Sequence, residues 1–176
     1  IDIYFATFAK SLAGIGGFIG ADKDLIYYLR YNIRSQIFAK SLPMVYVEGG
    51  LKRMEIIRRE PERIEKLWSN VNKLQNGLRE RGFNIGTTNS PVTPVYMEGG
   101  VGPASQLVVE LREEYGIFCS IVMYPVIPKG QLILRLIPTV NHTDDDIAKT
   151  LDAFSAVREK LENNVYTDEI PNIAAL

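Results

Sequence analysis

Thr7-Phe8-Ala9-Lys10-Ser11-Leu12-Ala13-Gly14-Ile15-Gly16-Gly17 is the stretch on which the reading of the whole chain turns. Just before and into it, Ile1, Ile3, Phe5 and Phe8 alternate with small and polar residues, a β-like apolar run that stops at Lys10. After it, Gly14, Gly16, Gly17 and Gly20 stand among Ile15, Phe18 and Ile19. The spacing fails the dinucleotide pattern G-x-G-x-x-G, because Ile19 stands where the third glycine belongs. It predicts instead a turn and a buried strand against which another backbone passes closely.

Further along, Asp22 caps a short helix through about Tyr31, and Pro43 starts another that runs to Glu60. After Pro61 a third helix carries Ile64, Leu67, Val71, Leu74 and Leu78 at steps of three and four, and Gly82 ends it. Strand signals follow at Thr93 to Met97, Phe118 to Tyr124 and Leu132 to Ile137. A helix bearing Leu107, Leu111 and Tyr115 separates the first two, and the turn residues Pro125, Pro128 and Gly130 precede the third. The last helix opens at Thr143, with Asp144, Asp145 and Asp146 in its positive first turn and a stripe of Ile147, Leu151, Phe154, Val157 and Leu161. From Asn163 onward no periodicity remains, so a loosely held tail is expected.

Composition narrows the function classes. The 176 residues are 46% apolar and 23% charged, which excludes a disordered or collagen-like chain and leaves room for a real core. A net charge of −1 gives no electrostatic case for nucleic acid. A single cysteine, Cys119, excludes an internal disulfide, and a single histidine leaves no Cys/His metal cluster. No apolar run reaches the roughly 18 residues needed to cross a bilayer. Residues 1–60 nevertheless hold nine basic and six acidic side chains, an excess that suits a small anionic ligand better than a polymer.

Lys10 is the residue with chemistry to offer. At the end of an apolar strand and the start of a glycine-rich turn, its amine is either a solvated surface group or a partly desolvated one. In the second case it is held neutral enough to form a Schiff base, with the Thr7 hydroxyl beside it for an anion. Spacing alone leaves both readings open. His142 beside a helix start reads as a packing or capping residue and Cys119 as inert core. Arg58, Arg59, Arg63 and Lys66 are interleaved with Glu55, Glu60, Glu62 and Glu65, the pattern of a solvated helix face.

The run from Thr7 to Gly17 resembles the cofactor-lysine segment of the α-oxoamine synthases, fold-type I enzymes that use pyridoxal 5′-phosphate. Serine palmitoyltransferase, 8-amino-7-oxononanoate synthase and glycine C-acetyltransferase are members. Further matches follow in the family's order: Arg34 to Pro43, Ser90-Pro91-Val92-Thr93-Pro94-Val95, Tyr124-Pro125 with Pro128-Lys129-Gly130, Arg135, and His142-Thr143. The likeness covers nearly the whole chain. Two departures stand out: family members often carry glycine where Ala9 stands, and small or hydroxylated residues where Ala39 and Lys40 stand.

The resemblance implies an α/β fold, the C-terminal portion of a fold-type I transferase. Residues 1–43 would end the large cofactor domain, 44–60 form a connecting helix, 61–163 a small α+β domain, and 164–176 a loosely ordered tail. It implies that Lys10 bears the cofactor and then acts as general base, and that Thr7 holds the cofactor phosphate. Ser41 would reach the phosphate in the neighbouring subunit, with Lys40 as a further cation. Arg135 would grip the amino-acid carboxylate. The implied reaction is a decarboxylative condensation of an amino acid with an acyl-CoA to an aminoketone, most like that of serine palmitoyltransferase. Glycine C-acetyltransferase and 8-amino-7-oxononanoate synthase activities stay open, as does a non-catalytic subunit of the same fold. A cytoplasmic homodimer with sites at its interface is implied, without a metal. So is a missing half before Ile1, carrying a ring-stacking histidine and an aspartate for the ring nitrogen, without which the 176 residues alone are inactive.

Overall fold

In the computed structural model, which describes residues 1–98, 100–167 and 169, the chain divides between Pro61 and Glu62 into two compact units. The first contains β1 (Ile3–Thr7), β2 (Gly17–Ala21), α1 (Lys23–Asn32), α2 (Arg34–Ile37) and α3 (Met44–Arg59). The expected connecting helix is α3, and it belongs to this unit.

β1 and β2 form an antiparallel hairpin whose last pair is Thr7 with Gly17. The expected close backbone approach is present: a Cβ on Gly17 would lie 2.7 Å from the carbonyl oxygen of Ala6. The expected burial is not. Ile3, Phe5, Phe18 and Ile19 are exposed, because a two-stranded sheet cannot cover both of its own faces. Asp22 occupies the N-cap position of α1 but makes no side-chain cap bond. Helix α2 went unforeseen, since four residues are too few to show a 3.6-residue period.

The second unit contains α4 (Glu62–Glu80), β3 (Thr93–Met97), α5 (Val101–Glu113), β4 (Ser120–Val122), β5 (Leu132–Leu136) and α6 (Asp144–Glu162). Its sheet is antiparallel in the order β3-β5-β4. Alternation sorts β5: Leu132, Leu134 and Leu136 are buried, whereas Ile133 and Arg135 point the other way. The core joins Leu134, Leu136 and Val95 to Leu74 and Leu78 of α4, Leu107 and Leu111 of α5, and Ile147, Phe154 and Val157 of α6. Gly77 lets α4 and α6 approach, because a Cβ there would sit 2.4 Å from Leu151 Cδ1. Phe83 meets Phe154 edge-on at 5.2 Å between ring centroids and carries the Arg158 guanidinium above its own ring.

The termini of these helices follow their sequence signals. Gly82 leaves α4 at φ +75°, with the Phe83 amide returning to the Leu78 carbonyl, the closure only glycine makes without strain. Thr143 and Asp146 form a full capping box at the start of α6. Two expectations change. The strand expected over Phe118 to Tyr124 shrinks to Ser120–Val122, with Phe118 left exposed outside the ladder. The tail is held where it is described. Tyr166 donates to Glu110 Oε2 (2.9 Å), and Gln106 exchanges hydrogen bonds with Thr167. Gln106 and Glu110 lie one turn apart on α5, a pairing that periodicity in the tail cannot reveal. The rest of the expected loose tail, residue 168 and residues 170–176, lies outside the described residues.

Candidate active site

The loop from Phe8 to Gly16 closes the hairpin and carries Lys10. Phe8 donates its amide to Gly16, Gly14 returns one to Phe8, and Ala13 bonds the Lys10 carbonyl, so the lysine sits on a tight, internally bonded turn. Gly16 supplies the left-handed conformation at φ +89°. The Lys10 side chain is exposed and has no hydrogen bond or ion pair among the described residues, and the Ser11 hydroxyl next to it is equally unengaged.

Thr7 is already at work. Its hydroxyl donates to the Gly16 carbonyl (3.1 Å) and accepts the Ala9 amide (3.2 Å), so it ties the two ends of the loop together. In this arrangement its proton serves the hairpin rather than an outside anion. Ser41 lies on the exposed segment that enters α3, and the structure brings that segment against the lysine loop. A Cβ on Gly16 would fall 2.9 Å from Leu42 Cδ2, so the glycine makes the seat for Leu42. Lys40 is exposed beside it.

Arg135 stands in the other unit, on the outward face of β5 between Pro94 of β3 and Ser120 of β4. It is exposed, and its side chain makes no hydrogen bond or ion pair among the described residues. The structural ion pair that could have explained an arginine among leucines is therefore not formed there, and the guanidinium fork is open to a planar anion.

The remaining candidates are structural. His142 Nδ1 accepts the Thr139 amide at 2.8 Å, and the buried Asn70 amide bonds both Thr139 and His142 carbonyls at 2.9 Å, which pins the turn before α6. Burial pushes the Cys119 thiol up to about 11, so it is a packing residue rather than a nucleophile. The bonds from Thr143 hold the Asp146 carboxyl below its ordinary range, and Lys73 does the same for Asp144. Of the basic cluster, Arg59 pairs with Glu55 and Glu60, and Lys66 reaches Asp144 at 3.6 Å. No helix among the described residues is long and apolar enough to cross a membrane.

One feature near the lysine loop was missed from the sequence. α3 carries Gly49 and Gly50 in its interior, where each glycine costs about 1 kcal/mol relative to alanine. A glycine pair in mid-helix signals that something must come close, and Gly50 lines an apolar groove that Thr7 and Ser11 also line.

Comparison with known proteins places these features in context. Residues 1–154 match the family described as aminotransferase class I and II. A cysteate-C-fatty acyltransferase from Capnocytophaga ochracea is 61% identical over 166 residues, which are 94% of this chain and 40% of that protein. A serine palmitoyltransferase from Sphingobacterium spiritivorum is 34% identical over 92% of this chain and 40% of its own length. Among solved structures, a serine palmitoyltransferase variant from S. paucimobilis with a bound PLP–myriocin aldimine superposes with a TM-score of 0.83. It shares 28% identity over 93% of this chain and 41% of that one. The chain thus spans about 40% of the length of the relatives it matches.

Proposed function

Because this chain belongs to the aminotransferase class I and II family, whose cofactor here is pyridoxal phosphate, we propose that it is the lysine-bearing part of a fatty acyltransferase acting on cysteate. The observation that carries the reading is the 61% identity, along 94% of the chain, to a cysteate-C-fatty acyltransferase. The relation to the α-oxoamine synthases that the sequence motifs suggested is shown, since serine palmitoyltransferases and 8-amino-7-oxononanoate synthases are also among the relatives. Cysteate takes the place of serine as the favoured substrate.

The residues present fit an aldehyde cofactor with a phosphate arm: an unpaired exposed amine at Lys10, with the Ser11 and Thr7 hydroxyls beside it. When bound, the cofactor supplies an electron sink for negative charge at the amino acid's α-carbon. Lys10 would take the α-proton as general base. Arg135 would hold the substrate carboxylate in a two-pronged grip. Thr7 would have to re-aim its hydroxyl from Gly16 to serve the phosphate, while Ser41 and Lys40 stand ready at the mouth of α3 for the phosphate in the neighbouring subunit. In the net reaction a bond forms between the α-carbon and the acyl carbonyl carbon, the thioester C–S bond breaks, and CoA leaves as a thiol. The α-carboxylate leaves as CO₂, a proton takes its place on the α-carbon, and the α-proton removed earlier is balanced by the one that CoA takes up. The positive excess of residues 1–60 suits a doubly anionic amino acid. The enzyme would work as a cytoplasmic homodimer, and the 176 residues alone would carry only part of its site.

The test is a thiol-release assay on the polypeptide that carries this chain, with palmitoyl-CoA and either cysteate or serine. We expect kcat/KM for cysteate to exceed that for serine by at least about tenfold, 1.4 kcal/mol. A preference for serine would move the protein to the serine palmitoyltransferases. No thiol release with either would reject the reading.

A further inference from the structure

The first unit holds a groove of about 640 Å³ between one face of the hairpin and α3, within the size range of small-molecule sites. We infer that this groove takes the fatty chain of the acyl-CoA, which rests on the reading of the protein as a fatty acyltransferase.

Three observations point to that occupant. The walls are overwhelmingly apolar: Tyr4, Phe8 and Phe18 from the hairpin face Tyr46, Met54 and Ile57 of α3. The groove also opens where the acyl carbon must arrive, because Thr7 and Ser11, which bracket Lys10, line it. Along α3, Tyr46, Gly50, Met54 and Ile57 follow one another at steps of four, four and three, so they form a single stripe. At about 1.5 Å per residue that stripe runs for roughly 17 Å, far more than an acetyl group needs.

The floor of the groove adds to these three. Nothing lies within 4 Å of where a Gly50 Cβ would stand, so the glycine is not required by any contact of the fold. Its helix penalty buys open space at the middle of the stripe. Arg53, the charged residue of the lining, folds back toward Gly49, where a Cβ would meet its Nη1 at 3.0 Å.

The test is Gly50→Leu in the polypeptide that carries this chain, with kcat/KM measured for palmitoyl-CoA and octanoyl-CoA. A Cβ at Gly50 meets nothing within 4 Å, so a leucine there projects its side chain into the middle of the groove. Each methylene kept out of apolar surroundings is worth roughly fourfold in binding. The palmitoyl-to-octanoyl ratio should therefore fall at least about tenfold, with Gly50→Ala intermediate. An unchanged ratio in folded Gly50→Leu overturns the inference. Independently, palmitoyl-CoA with a photoreactive group at the chain end should label the unaltered protein within residues 4–18 or 42–57, the two walls of the groove. Labelling confined elsewhere overturns the inference, whether or not Gly50→Leu folds. An unaltered enzyme that rejects all long-chain acyl-CoA contradicts the proposed function, and the labelling still decides the groove.

Discussion

Arg135→Lys separates binding from folding because of where the arginine stands. Leu134 and Leu136 on either side are buried, whereas the Arg135 side chain faces outward and bonds nothing among the described residues. Its replacement should shift the stability of the second unit by no more than about 0.5 kcal/mol. For a substrate carboxylate the change is larger. Lysine keeps the positive charge but loses the planar fork, so one of two parallel charge-assisted hydrogen bonds disappears. That loss is worth about 2 kcal/mol, roughly thirtyfold in amino-acid affinity. Titrating the amino acid into cofactor-loaded protein and following the cofactor's absorbance gives the affinity, and thermal unfolding gives the stability. The KM for acyl-CoA should change much less. Unchanged amino-acid affinity in a variant with an unchanged melting temperature would refute the carboxylate role of Arg135.

Two further outcomes follow from the second unit. Thr143→Ala removes the cap of α6, the 3.2 Å bond from the Asp146 amide and the 2.8 Å bond to its carboxylate, and should cost about 1 kcal/mol in a urea melt. Because the folded state lowers the Asp146 pKa, the stabilisation it brings is present above the ordinary carboxylate value of about 3.9 and lost as pH falls through the lowered one. The difference between the two proteins should therefore narrow in acid. Cys119, whose thiol burial raises to about 11, should resist alkylation at pH 8 in the native protein and react quickly in denaturant. Fast native labelling would place it outside the core.

The second unit was largely legible from sequence because its signals are local and periodic. Thr93 to Met97 became β3 with those bounds, and Val71, Leu74 and Leu78 are buried as their spacing demands. Ile64, on the same stripe, is exposed, because the core does not extend to the first turn of α4. The anchoring of Tyr166 and Thr167 was not legible because their partners, Glu110 and Gln106, lie about sixty residues away. The site was less legible. The strand carrying Arg135 was legible but not the face the arginine takes, and spacing alone left a reactive Lys10 and a surface one both open, with only the family motifs favouring the first. Thr7 was assigned a phosphate while the structure shows its proton on Gly16, a bond between residues nine apart. The groove was invisible because its walls come from separated segments of the first unit, and its one local sign was a glycine pair inside a helix.

The central claim is that Lys10 carries the cofactor. The most direct measurement is reduction of the pyridoxal-phosphate-loaded polypeptide with borohydride, followed by proteolysis and mass mapping of the pyridoxyl group. The account predicts a single modified lysine, Lys10, in the peptide spanning Thr7 to Gly17, and loss of that modification when the substrate amino acid is added before reduction. A pyridoxyl group found on another lysine of the polypeptide, or on none, would contradict it.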